Sequence, residues 1–422
     1  MAKKKKNVTI AAMIGTALEY YDMSLYGFMA PLLISIFLPT FDKINALILT
    51  FIFPIISLIV RPLGAIVIGK IGDTYGRKIG LIISIGGMTV ATGIIGLLPT
   101  YNKIGVLAPI LFVILRSLQG FFMAGEYNGG AILVLEHSPD HRKGYVSGLY
   151  CLYTVYGIAI SAVICTITSY LPPQYWRIPY FIGCIAGIIG LYVRRHIHES
   201  PKFLESKHIN AVPLKQIAKK YKLILISIGV VGLFSSLYTM PTLLMNSLLP
   251  LTTSYSLSTI MLINSATTIL YMFTFPLFGR LADKISCYKS MSIAAVIVLI
   301  TSYPLISMIS YNKLEYIFIM KLCFALITAW FGAPFHAWIQ SLFLTRERYA
   351  AISFSYAIGH QLGGLMVPLS LWSWKHTHSF FAIYSILIFW SAVALTALYY
   401  QRYLAKKDQA QQTLISRKSQ HV

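Results

Sequence analysis

Residues Arg61 to Gly80 read Arg-Pro-Leu-Gly-Ala-Ile-Val-Ile-Gly-Lys-Ile-Gly-Asp-Thr-Tyr-Gly-Arg-Lys-Ile-Gly. Apolar runs flank the stretch, and it is far too short to be a domain. Gly69, Asp73, Gly76, Arg77 and Lys78 make a tight, charged turn between two hydrophobic segments. Such a turn reads as a short cytoplasmic loop, because Lys and Arg collect on that side of a membrane. A worn copy, Gly279-Arg280-Leu281-Ala282-Asp283-Lys284, follows 210 positions later. In the copy, Ser286, Cys287 and Tyr288 stand where the first has Gly76, Arg77 and Lys78. A second set repeats at one common offset: Arg142, Ser147, Tyr150 and Gly157 return as Arg348, Ser353, Tyr356 and Gly363. The chain is therefore laid out as two halves of similar plan.

Composition sets the medium. Of the 422 residues, 57% are hydrophobic and only 11% charged, whereas a soluble domain carries about 25% charged residues. The expected surface is lipid-facing. The net charge of +22 does not point to nucleic acid, because the charges sit in short loops between apolar spans. Five cysteines show no CxxC spacing, and four fall in expected spans, which argues against a disulfide framework or a zinc site. The sequence has no phosphate-binding Gly-Lys-Ser/Thr loop, no zinc-protease helix motif and no nucleophile–base pair, so neither an ATP-driven pump nor an enzyme is expected. The basic start, Met1 to Asn7, leads into an apolar region with acids inside it. That first span reads as retained, not as a cleaved signal.

A helix needs about 20 apolar residues to cross the hydrocarbon. That rule gives twelve spans, near 10–38, 46–68, 79–98, 105–127, 144–169, 177–194, 223–248, 257–278, 290–310, 314–338, 350–373 and 379–400. The expected fold is an all-α membrane protein with twelve transmembrane helices in two pseudo-symmetric six-helix bundles. Its parts are an N-terminal bundle over 1–196, a cytoplasmic central loop over 197–222, a C-terminal bundle over 223–402 and a short cytoplasmic tail over 403–422. An even count puts both termini on one side. The loops and termini of that side hold 27 Lys and Arg against five on the other, so both termini are expected in the cytoplasm.

Eight of the twelve spans have no Asp, Glu, Lys or Arg in their apolar interior. The exceptions are informative, because a charge at mid-bilayer costs several kcal/mol unless it is paired or wet. Glu19 and Asp22 share one face of the first span. Arg61 is on the second. Arg116, Gln119 and Glu126 form one stripe of the fourth, and Lys321 stands alone on the tenth. At about 1.5 Å per residue, Asp22 and Arg116 fall near the midplane and Glu126 near the cytoplasmic edge. Two readings stand: structural ion pairing between helices, or a wet central site for substrate and proton. Midplane placement between repeats favours the second. A guanidinium at Arg116 suits a carboxylate, and Tyr20, Tyr21 and Tyr26 offer aromatic faces for an ammonium. His336 and His360 read as helix–helix hydrogen-bond partners.

At these residues the sequence resembles the major facilitator superfamily. Within it, the likeness is to the metabolite:proton symporters, which include proline/betaine, citrate, α-ketoglutarate and shikimate transporters. The resemblance is carried by Gly15-Thr-Ala-Leu-Glu19-Tyr-Tyr-Asp22 with Tyr26-Gly27, by Arg61-Pro62-Leu63-Gly64 and Gly69 to Lys78, by Arg116 to Gly130, and by Glu199-Ser200-Pro201-Lys202-Phe203. It covers the N-terminal half; the C-terminal half is similar mainly in plan. The resemblance implies two bundles that rock about a central cavity. It implies proton-coupled symport of a small zwitterion or carboxylate, with the zwitterion slightly ahead. The expected substrate and proton set is Glu19, Asp22, Tyr26, Arg116, Gln119 and Glu126. The expected cytoplasmic gate is Arg61, Gly69, Asp73, Gly76, Arg77 and Arg142. No metal or cofactor is expected beyond the proton, and the expected state is a monomer in a bacterial inner membrane. A non-transporting receptor or scaffold and a facilitative uniporter are the competing readings. The tail after Arg402 has no heptad pattern, so the coiled coil that some relatives use in osmotic sensing is not expected.

Overall fold

A backbone in hydrocarbon has no water to bond, so each segment must satisfy its own N–H and C=O groups as helix. The computed structural model, which describes residues 2–37, 44–45, 57–75, 77–124, 126–136, 138–195, 219–344 and 347–419, has only helices as its regular elements there. The first half holds α1 (Ala2–Phe37), α2 (Ser57–Tyr75), α3 (Arg77–Leu97), α4 (Leu107–Met123) with its continuation α5 (Glu126–Glu136), α6 (Lys143–Ser169) and α7 (Ile178–Arg195). The second half begins with α8 (Tyr221–Thr239), which passes through a π-helical turn at Met240–Leu244 into α9 (Met245–Thr252). Then follow α10 (Leu257–Met272) and α11 (Phe275–Ile285), α12 (Cys287–Ser307), α13 (Leu314–Gly332) and α14 (Phe335–Ser341), α15 (Arg348–Gly364) and α16 (Met366–Thr377), and α17 (Phe381–Ser419). Among the described residues, nine helical rods are long and apolar enough to cross a membrane. Large apolar side chains such as Val90, Ile114, Leu225 and Ile300 point outward, as a lipid-facing surface requires.

Two boundaries differ from the expectation. The fourth span does not stop near 127 but continues as α5 to Glu136. Asn128 and Gly130 look like a loop by hydropathy. Both are buried, and Gly130 packs against the Tyr150 hydroxyl. The tail after Arg402 is helix as far as Ser419; its Ala, Lys and Gln residues are good helix formers, with no Gly or Pro to stop them. Residues 46–56 and the central loop 197–218 lie outside the described residues.

The repeat is visible in the packing. Helix α6 lies against α10 and α11 of the other half, and α2 lies against α15. The fifth span thus meets the eighth, and the second meets the eleventh, as a two-fold axis between the halves demands. The recurring residues are equivalent in place. A Cβ on Gly157 would lie 2.7 Å from the Ala17 carbonyl carbon, and one on Gly363 would lie 2.8 Å from the Ser235 Cβ. Each glycine lets its helix touch the first helix of its own half. Tyr150 and Tyr356 are both buried at the half–half interface. The halves meet across the middle through Tyr20–Tyr356 (3.1 Å between hydroxyls) and Tyr127–His336 (2.8 Å).

Candidate functional site

A buried polar cluster forms where α1, α3 and α4 converge. Asp22 is buried, and its Oδ2 accepts from Thr92 Oγ1 at 2.6 Å and from Gln119 Nε2 at 3.0 Å. Gln119 also donates to Thr92 Oγ1 at 2.6 Å. Its carbonyl Oε1 accepts from Arg116 Nη1 at 2.6 Å. The guanidinium is therefore joined to the carboxylate through a neutral amide, not by direct ion pairing. Asp22 Oδ1 has no hydrogen-bond partner among the described residues. Gly183 of α7 leaves the space beside it: a Cβ there would lie 3.6 Å from Oδ1. The other face of Arg116 is stacked on the Tyr26 ring, with Cζ 4.5 Å from the ring centroid. That aromatic face, expected to receive an ammonium, is taken by the protein's own guanidinium.

A second layer lines the interface between the halves. Tyr20, Tyr127 and Tyr356 cluster with ring centroids about 5 Å apart, and they border a cavity also lined by Tyr238, Tyr271 and His360. Glu19 is buried within electrostatic reach of Tyr20 and Tyr356. Arg61 is buried within reach of Tyr356 and His360. It lies about 18 Å along the helix from Asp73 by the 1.5 Å rise, so the structure places it at the central interface instead of at the turn. Ser24 Oγ and Tyr238 OH, 3.2 Å apart, tie the Asp22 helix to the other half. Tyr21 donates its hydroxyl to the Pro179 carbonyl at 2.8 Å and does not face the cavity.

The copied turn supplies part of the contacts that close the terminal end. Asp283 accepts from the backbone N–H of Gly144 at 2.7 Å and of Tyr145 at 2.9 Å, so the carboxylate of one half caps the N-terminus of α6 in the other. Arg280 stacks on the Tyr145 ring at 4.7 Å. Arg348 pairs with Glu136 across the halves at 3.0 Å, and Glu347 pairs with Lys220. Arg142 is exposed just before α6. At Ser286 the chain turns with φ 85°, a left-handed backbone, and this is the position that is Gly76 in the first copy. Only glycine adopts that backbone without strain. Gly76 and the side chains of Gly69, Asp73, Arg77 and Glu126 lie outside the described residues. The opposite end is closed by Thr166 Oγ1 against Ser265 Oγ at 2.8 Å.

Residues 12–368 match the profile of the Major Facilitator Superfamily. The chain belongs to the major facilitator superfamily. The proline/betaine transporter of Escherichia coli (strain K12) is 32% identical over 394 residues, spanning 88% of this chain and 78% of that protein. The glycine betaine/proline/ectoine/pipecolic acid transporter OusA of Dickeya dadantii (strain 3937) is 32% identical over 390 residues, 87% and 77% of the two chains. Among solved structures, the proton:xylose symporter XylE bound to 6-bromo-6-deoxy-D-glucose superposes with a TM-score of 0.74 at 15% identity, covering 95% of this chain and 96% of that one. The human organic anion transporter MFSD10 gives 0.65 at 12% identity, covering 94% and 99%. At those identities the likeness concerns the fold alone: two bundles, twelve spans. The superfamily and these relatives are transporters, so the chain is a membrane transporter and not an enzyme.

Set against the superfamily plan, the structure brings Asp22, Tyr26, Arg116 and Gln119 into one network and sets Glu19 and Arg61 at the interface beside it. The backbone of Glu126 is deeper than its expected edge position, because the 11 residues of α5 begin there and put it about 15 Å from the helix end. Two participants escaped the sequence reading. Thr92 resembles any membrane threonine, whose hydroxyl usually bonds the carbonyl four residues back; it makes that bond to Met88 as well. Arg194, at the very end of the sixth span, is buried against α1. A Cβ on Gly15 would lie 2.8 Å from its Nε and Cζ, and Gly15 is one helical turn from Glu19. The glycine that opens the first-helix signature was the available clue.

Proposed function

We propose that the chain carries out proton-coupled symport of a small zwitterion or carboxylate by alternating access, with both termini in the cytoplasm and the proton as its only coupling partner. The observation that carries this reading is the Asp22 carboxylate, buried near the middle of the N-terminal bundle. One oxygen is held by Thr92 and Gln119, and the other has no hydrogen-bond partner among the described residues. A carboxylate oriented through one oxygen keeps the other available to take up and release a proton. Arg116, linked through Gln119, senses that charge without neutralising it by direct contact. A membrane scaffold gains nothing from such desolvated charge, whereas a coupled transporter uses it. The relatives' names favour proline and betaine-like zwitterions. The test is uptake by the purified protein in proteoliposomes, with and without an imposed pH gradient, for a panel of zwitterions and mono-, di- and tricarboxylates. Gradient-driven accumulation of a panel member is expected. Equal equilibration with and without the gradient would leave a uniporter, and no uptake at all would leave the receptor reading.

A further inference from the structure

Lys321 is the one charge in the apolar interior of the second half's spans, and the network around Asp22 makes no use of it. It sits on α13 at 1% exposure, and its Nζ donates to Asn246 Oδ1 of α9 at 2.7 Å. An ammonium has three donors, and only this one hydrogen bond is described. Asn246 Nδ2 is buried too and has no acceptor among the described residues. Spare donors therefore lie on both partners of this contact, with no acidic side chain hydrogen-bonded to either among the described residues. The acids of this half stand elsewhere: Glu315 is exposed in the first turn of α13, Asp283 and Glu347 serve the terminal-end contacts, and Asp408 is in the tail. A buried cation without an anion is costly in hydrocarbon.

Lys321 borders a cavity with Asn264, Thr267 and Thr268, all buried. Tyr238, Tyr271 and Thr328 line this cavity and also the tyrosine-rich cavity between the halves. The two spaces thus share a wall, and Ser24, two residues from Asp22, bonds Tyr238 in that wall. The geometry points to Lys321, held by Asn246, as the carboxylate subsite of the transported solute, with the tyrosine cavity receiving its cationic or apolar end. The inference rests on the symport reading and deepens it: the substrate class is a small molecule with one carboxylate and, at the other end, an ammonium that suits aromatic faces. It leaves Arg116 in the Asp22 network, where its Nη1 donates to Gln119 and its face lies on the Tyr26 ring.

The test uses the full chain in proteoliposomes and measures binding and uptake of L-proline and glycine betaine, with competition by prolinamide and by choline, which lack the carboxylate. Wild type is expected to prefer the carboxylate compounds at least tenfold over these analogues. Lys321→Gln should weaken their binding at least tenfold and bring acid and analogue within about threefold of each other, and Lys321→Arg should restore part of the preference. Asn246→Asp supplies an internal carboxylate for the lysine. It should weaken the same ligands while keeping the fold, which covers the case in which Lys321→Gln does not fold. If wild type takes up no carboxylate compound of the wider panel, the symport reading and this inference fall together. If wild type concentrates such a compound but binds the amide equally well, or if Lys321→Gln or Asn246→Asp binds it as wild type does, the Lys321 assignment alone is overturned.

Discussion

Two residues make the proton hypothesis concrete. Asp22→Asn keeps the shape and the acceptor for Thr92 and Gln119 but removes the titrating oxygen. It is expected to abolish accumulation driven by a pH gradient while solute exchange across the membrane survives. Thr92→Val leaves the carboxylate and removes one donor to it. A hydrogen bond to a charged group is worth about 1.5–3 kcal/mol, so the coupled rate should fall by about tenfold or more without complete loss. Both are read in the same proteoliposome assay. If Asp22→Asn still concentrates solute under the gradient, the carboxylate is a structural member of a polar cluster. Ser286 offers a separate check on the repeat. Its φ of 85° costs a non-glycine residue about 1–3 kcal/mol, and its weak cap to Lys289 N–H at 3.4 Å returns little. Ser286→Gly, which restores the residue of the first copy, should raise the thermal unfolding midpoint; a lower midpoint would mean the cap outweighs the strain.

At the scale of elements, one contact of the terminal-end closure sets the Asp283 carboxylate at the start of a 27-residue helix, α6. A charge at a helix N-terminus contributes about 0.3–1 kcal/mol, and up to about 2 when partly buried. Asp283→Asn keeps the oxygen and discards the charge. The end should then open more often, by roughly fivefold for each 1 kcal/mol. Labelling of a cysteine placed at the buried Ser147 of α6 reads this directly and should speed up by that order. Unchanged labelling would show that the ion pair of Arg348 with Glu136 carries the closure. Glycine contacts set the opposite limit. The Gly157 backbone rests on α1, so Gly157→Leu should force α6 off it and cost about 1–3 kcal/mol or more.

For the whole molecule, the halves touch at both ends and in the middle, so movement must break one set of contacts while the other holds. Thr166 and Ser265, 2.8 Å apart at the end away from the termini, mark one such set. Cysteines at both positions should cross-link under oxidation and stop transport, and reduction should restore it. Continued transport with the cross-link formed would exclude rocking about that end. The charge bias of the loops further predicts that a reporter fused after Gln401 behaves as cytoplasmic. Periplasmic activity there would reverse the orientation.

The sequence by itself determined the medium, the twelve-span plan and the two-half repeat, because hydropathy, loop charge and recurring spacing are local properties that survive in one dimension. It also flagged Asp22, Arg116 and Gln119, since charge inside an apolar span is costly enough to stand out. Tertiary structure alone decided who touches whom. Thr92 joins Asp22 only because α3 crosses α1 at that depth. Arg194 is buried only because Gly15 makes room for it. Arg61 reaches Tyr356 only because α2 packs on the opposite half. Lys321 read as an isolated charge until helix crossing set it beside Asn246. The partner of a buried polar group is fixed by distances between helices far apart in sequence, and composition along one helix contains no record of them.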